Sequence, residues 1–98
     1  MDDKKKQSIN TDDELIFKNM CIFIAEKWII GRRDSNGELV SMTKYAYECN
    51  LATTTITKIV SSEGYNLPFQ TLLKICKKEE ISLSQFFTEF EQKYKMKF

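Results

Sequence analysis

The 98-residue chain contains no histidine, so it lacks the side chain most often used as a general base near neutral pH. Its three cysteines, Cys21, Cys49 and Cys76, are odd in number and far apart. Zinc sites need close cysteine pairs, usually with histidine, so these three read as buried free thiols, and neither a metal nor a cofactor is expected. A glycine loop for nucleotide phosphates is missing as well. No apolar run approaches the roughly 20 residues of a membrane span. The opening MDDKKKQSIN has none of the apolar stretch of a signal peptide, and the expected location is the cytoplasm.

Enzyme motifs are equally scarce. Ser41-Met-Thr-Lys44 matches the S-x-x-K string of serine acylases, but the companion motifs and the larger scaffold are absent. Asp12-Asp13 and Glu79-Glu80 read as helix-end charges rather than a paired carboxylate site. The chain is therefore not expected to be an enzyme.

What is present is an ordinary globular balance, 42% hydrophobic and 30% charged, in a chain long enough for one hydrophobic core. The formal net charge of +1 gives no global pull toward nucleic acid, so any basic surface must be local. Residues 1–10 are expected to be a disordered tail, 11–92 the folded domain, and 93–98 a short basic and aromatic tail. A capping box at Thr11-Asp12-Asp13-Glu14 should start a long first helix. Its stripe is expected at Ile16, Met20, Phe23 and Ile30, flanked by Leu15, Ile22 and Ile29. The helix should end near Gly31. The turn-rich RRDSNGE that follows reads as a plain loop, with a small hairpin as the alternative.

The most informative stretch is SMTKYAYECNLATTTITKIV, residues 41–60. Ser41 looks like a helix cap, and Tyr45, Ala46 and Cys49 share one side of a short helix. Ile56, Ile59 and Val60 share one side of the next. Asn50 between them is suited to the left-handed conformation that stops a helix sharply, and Leu51 can plug the corner. That is a helix-turn-helix unit. At 100° per residue, Ile59 and Val60 fall within about 60° of Ile56 and mark the core side. Thr54, Lys58 and Ser61 fall opposite, Thr57 at the edge and Thr53 in the first turn. This outward side carries no acid and offers hydroxyls, methyls and one lysine. Taken alone, the ATTT run reads more readily as a polar helix start. Beyond Gly64, Pro68 should open a helix with Phe69, Leu72, Leu73 and Cys76 buried. Ser82 and Gln85 should form a capping box before a last helix with Leu83, Phe86, Phe87 and Phe90 on one face.

The pattern S-x(3)-YA-x(2)-CNL-x(4)-ITKI, then P-x(2)-TLLKIC-x(4)-ISLSQFF, resembles the Xre or phage-repressor-like helix-turn-helix regulators over residues 41–87. The resemblance implies an all-α, five-helix lambda-repressor-like domain, here with an extended first helix. It implies sequence-specific binding to double-stranded DNA, with a recognition helix at about residues 53–61 in the major groove. Ala46 would sit where the two helices cross, and Ile56 would anchor the second. Thr53, Thr54 and Lys58 would contact bases; Ser41, Thr43, Lys44, Thr57 and Ser61 would contact the DNA backbone. The chain departs from the family at Ala52, where a Ser or Thr cap is usual, at Val60, and in a long segment from Val60 to Pro68. Because one such unit reads few base pairs, a homodimer is expected, joined through Phe86, Phe87 and Phe90 or the segment up to Phe98. The rival reading is a protein-interaction module, antitoxin-like or an adaptor, that presents Trp28, Tyr65, Tyr94 or Phe98 to a partner.

Overall fold

Residues 14–24 are α-helical and run without a break into a π turn, Ala25–Ile29, in a computed structural model that describes residues 14–61 and 65–95. Together they form α1. The tail 1–10, Thr11 of the capping box, Gly64 and residues 96–98 lie outside the described residues. In the π turn the Ile30 N–H donates to the Ala25 carbonyl at 2.7 Å, an i→i+5 closure in place of i→i+4. The wider turn keeps Phe23 with Trp28, and Ile24 with Ile29, on the inner side at a spacing of five, and all four are buried. Ile30 adopts extended backbone and Gly31 follows at φ 75°. The expected stripe is therefore corrected. Ile30 is 58% exposed because the helix has stopped at the π turn before it, Leu15 is also outside, and the buried side of α1 runs through Cys21, Ile24, Ala25 and Trp28.

Residues 32–40 form a small hairpin rather than the plain loop. Arg33 and Leu39 make an antiparallel bridge, the Val40 N–H donates to the Arg32 carbonyl at 2.8 Å, and the Asp34 N–H donates to the Glu38 carbonyl at 2.9 Å. The bend is held by Asp34, whose Oδ1 accepts from the backbone N–H groups of Asn36 at 2.8 Å and Glu38 at 3.0 Å. Gly37 supplies the positive φ, 83°, that such a tight return requires.

Helix α2, Met42–Cys49, starts on Ser41, whose hydroxyl accepts from the Lys44 N–H at 3.0 Å. It stops at Asn50 in the left-handed conformation, φ 60° and ψ 45°. The Asn50 N–H donates to the Tyr47 carbonyl at 3.1 Å and the Leu51 N–H to the Ala46 carbonyl at 2.8 Å. Those two bonds define the Schellman stop, which satisfies carbonyls the helix end would otherwise leave open. Two residues later α3, Thr53–Ser61, begins, with the Ala52 carbonyl accepting from the Thr55 N–H at 3.0 Å. Tyr45, Ala46, Cys49, Ile56 and Ile59 are buried as their spacing predicts, and Val60 is half-buried.

Helix α4, Phe69–Lys78, follows Pro68 as its cap, and α5, Leu83–Tyr94, follows Ser82, whose hydroxyl accepts from the Gln85 N–H at 3.0 Å. Only this half of the expected capping box is formed in the side chains. Gln85 Nε2 instead donates one turn ahead to Glu89 at 3.1 Å. In α4 the buried residues are Thr71, Leu72, Ile75 and Cys76; Phe69, expected inside, is 62% exposed. Helix α5 runs past the boundary placed at residue 92, and the Tyr94 ring lies 5.1 Å from Phe90 and 6.3 Å from Phe23. Phe23 meets Phe86 edge-on at 5.4 Å, and Trp28 stacks on Phe86 at 6.0 Å. Trp28 is thus a core residue. Among the described residues the architecture is all-α, with five helices and no strand beyond the single bridged pair.

Candidate nucleic-acid interface

The α2–Asn50–α3 corner presents one side of α3 to solvent, and Thr53, Thr54, Thr57, Lys58 and Ser61 are all exposed on it. The corner is braced from α4. Lys74 Nζ donates to the Asn50 carbonyl at 3.2 Å, and Lys78 pairs with Glu48 at 3.6 Å. Ala46, small and buried, lets α2 and α3 approach closely. No acidic residue lies within α3, so its outward side has no carboxylate of its own.

The side chains on that side are not equally available. The Thr57 hydroxyl donates to the Thr53 carbonyl at 3.1 Å and the Ser61 hydroxyl to the Lys58 carbonyl at 2.9 Å. Both hydroxyl protons are turned back onto the helix, as threonine and serine commonly do in mid-helix. Each oxygen keeps lone pairs, but contact with an acceptor such as phosphate needs the hydroxyl to rotate. The Lys58 ammonium lies 5.6 Å from the centre of the Tyr65 ring, a cation–π distance. Thr53 and Thr54 stand in the first turn.

At the start of α2, Ser41, Thr43 and Lys44 are exposed. Ser41 is engaged as the cap, and Lys44 Nζ lies 3.7 Å from Asp34 Oδ2 in the hairpin. The backbone N–H groups of Glu38 and Asn36 and the nearby Lys44 ammonium hold the Asp34 carboxyl below its usual range. The hairpin therefore sets a stable negative charge beside the cation assigned to phosphate. One turn after Thr43, Tyr47 is 84% exposed on the same side of α2; its exposure was not anticipated from the sequence.

Glu79 does stand at a helix end, as the C-cap of α4, but its carboxylate is more than an end charge. Its Oε2 accepts from Arg32 Nη1 at 2.9 Å and from the Tyr45 hydroxyl at 2.7 Å, with the Glu79 side chain 8% exposed. The trio ties the hairpin, α2 and the end of α4 together. Burial, and then the Glu79 hydrogen bond, push the Tyr45 hydroxyl well above its ordinary range, so it stays a donor. The signal available in the sequence was Tyr45 itself, because a tyrosine on a buried stripe requires a partner for its hydroxyl. The three cysteines are free and buried, and burial raises the thiols of Cys21 and Cys76 to about 11. No three His, Cys, Asp or Glu side chains among the described residues gather to hold a metal, and no helix there is long and apolar enough to cross a membrane.

No protein-family model, no curated protein and no solved structure matches the chain.

Proposed function

We propose that the protein is a lambda-repressor-like, sequence-specific regulator of transcription that lays α3 in the major groove of double-stranded DNA. The observation that carries this reading is the capped α2, the Schellman stop at Asn50, and the solvent-facing, acid-free side of α3 that the stop creates. In such a unit the first turn of the second helix meets base edges while the start of the first meets the backbone. Thr53, Thr54 and Lys58 take the base edges; Ser41, Thr43, Lys44, Thr57 and Ser61 take phosphates. A homodimer on a two-fold site gives the second half-site. The role is binding, with no catalytic step.

A specific feature favours the second reading, a protein-interaction module. An open apolar groove of about 790 Å³ runs between α1, α4 and α5, lined by Ile16, Phe17, Met20, Leu67, Phe69, Leu72, Phe87 and Glu91. It lies on elements other than α3. Gel-shift titration on duplexes selected from a random pool and on scrambled versions, at two salt concentrations, separates the readings. Discrimination that is lost in Lys58→Ala supports α3 as the recognition helix, at about 1–3 kcal/mol for a good base contact. Absence of binding even at low salt moves the protein-interaction reading ahead.

A further inference from the structure

The groups that α3 offers to a base edge are unusual in kind. Between Thr53 and Ser61 there is no Asn, Gln or Arg. Asn and Gln are the side chains that grip adenine with two hydrogen bonds, and Arg has the fork that grips guanine. The chain's two arginines, Arg32 and Arg33, belong to the hairpin. Arg32 donates to Glu79 and Arg33 Nη1 donates to the Gly37 carbonyl at 2.6 Å. What stands at the first turn is a cluster of methyls, from exposed Ala52, Thr53 and Thr54, with Thr57 one turn on. The Thr57 hydroxyl is turned back to the Thr53 carbonyl, so of the two groups on its β-carbon the methyl is the one not engaged by that bond. A lone hydroxyl pairs with either donors or acceptors and so discriminates weakly, whereas the C5 methyl of thymine is the one apolar group on the major-groove edge of the unmodified bases.

Resting on the DNA-binding reading, but moving Thr57 from the phosphates to the bases because its hydroxyl is already engaged, we propose that α3 selects its site by the C5 methyls of thymines, through the Ala52–Thr53–Thr54 turn and the Thr57 methyl. Thr53 and Thr57 are about 6 Å apart along the helix axis by the rise of an α-helix. That is close to two base steps of about 3.4 Å, so the cluster spans thymines two base steps apart. The half-site is accordingly thymine-rich on one strand, and Lys58 adds a contact at its edge.

The test uses the full chain on a duplex selected from a random pool and on the same duplex with deoxyuridine replacing thymidine, which removes only the methyl. Affinity should fall roughly fourfold for each contacted thymine, the transfer equivalent of one buried carbon. Thr53→Ser and Thr54→Ser keep the hydroxyl and should each lower the thymine-over-uracil preference at the thymine they contact; Thr54→Val keeps the methyl and should preserve it. Because 5-methylcytosine carries the same group, selection is repeated with 5-methylcytosine in the pool; enrichment of thymine in both pools assigns the contact to thymine, and enrichment of 5-methylcytosine over thymine overturns it. Tight binding that is indifferent to deoxyuridine overturns methyl readout while the DNA-binding reading stands. Failure to enrich or bind any duplex sinks both together.

Discussion

The two ends of the core are built from different materials. Where α1 meets α5, the contact is aromatic: Phe23, Trp28, Phe86, Phe90 and Tyr94 lie ring against ring at 5.1–6.4 Å. Where α2 meets α3, the contact is made by Ala46, Cys49, Ile56 and Ile59, small or aliphatic, and the outer side is threonine and serine. Large rings bury the most area per residue and hold a frame. Small residues let two helices cross closely at a sharp corner, which is what a projecting second helix needs. Stability is therefore concentrated in the first region and exposure in the second, and substitutions should separate the two.

The largest expected effect is Phe86→Ala, since Phe86 is fully buried and touches Phe23, Trp28, Phe87 and Phe90. It should cost about 3–5 kcal/mol. Next comes Ile56→Ala at about 2–5 kcal/mol, because Ile56 is fully buried under the α2–α3 corner. Thr54→Ala, exposed on the same helix, should stay within about 0.5 kcal/mol. Denaturant midpoints order the three. If Thr54→Ala cost as much as Ile56→Ala, the inner and outer sides of α3 would be wrongly assigned.

A smaller loss is expected from Glu79→Leu. It leaves the Tyr45 hydroxyl and the Arg32 guanidinium without the acceptor they share, at about 1–3 kcal/mol for a buried group that loses its partner. A Tyr45→Phe, Glu79→Leu double variant should recover part of it, since no buried hydroxyl is then stranded. A double variant no better than the single one would assign the loss to the Arg32 pair instead.

This contrast also explains what could be read from the sequence. Ser41, Asn50, Gly37 and Ser82 act through their own backbone within a few residues, so the helix starts, the Asn50 stop and the outward set of α3 were legible. Ile30 and Phe69 were placed inside because a helical wheel assumes one pitch and an even core. The π turn at Ala25–Ile29 breaks the first assumption, and the apolar groove that Phe69 lines breaks the second. Glu79 with Arg32, Lys44 with Asp34, and Lys58 with Tyr65 join residues from separate elements. Such pairs exist only once the chain has folded, and no local spacing announces them.

Alkaline titration probes the core more gently. Burial holds the Cys21 and Cys76 thiols at about 11, against 9.0 in the open chain. A group whose pKa is higher when folded stabilises the fold below its open-chain value and loses that contribution as pH rises through the folded value. Stability should thus hold up to about pH 9 and decline toward pH 11, with the raised Tyr45 hydroxyl adding to the decline from about pH 10. Cys21→Ala with Cys76→Ala should flatten the limb between pH 9 and 11 when unfolding is followed by circular dichroism. An unchanged limb would mean that the thiols ionise normally and are not held in the core.

The smallest effect lies at the α2 edge of the interface, where Asp34 sits 3.7 Å from the Lys44 ammonium. Exposed charges this close partly cancel toward a third charge, and salt screens what is left. Lys44→Ala alone should therefore weaken every duplex alike but modestly, since part of the lysine's field is already offset by the carboxylate. Asp34→Asn keeps an oxygen able to accept from the Asn36 and Glu38 N–H groups, so the hairpin bend survives while the charge goes. If the start of α2 meets the DNA backbone as proposed, the lysine in that background should act on phosphate unopposed. Binding to selected and scrambled duplexes should tighten equally, and Lys44→Ala should then cost more than it does in the parent protein. Its removal should lower the salt slope by roughly one, the signature of one phosphate contact. A coupling of zero between the two substitutions would place Lys44 away from DNA. A change in sequence preference would instead bring the start of α2 into the reading of bases, and the division between a backbone-gripping α2 and a base-reading α3 would fail.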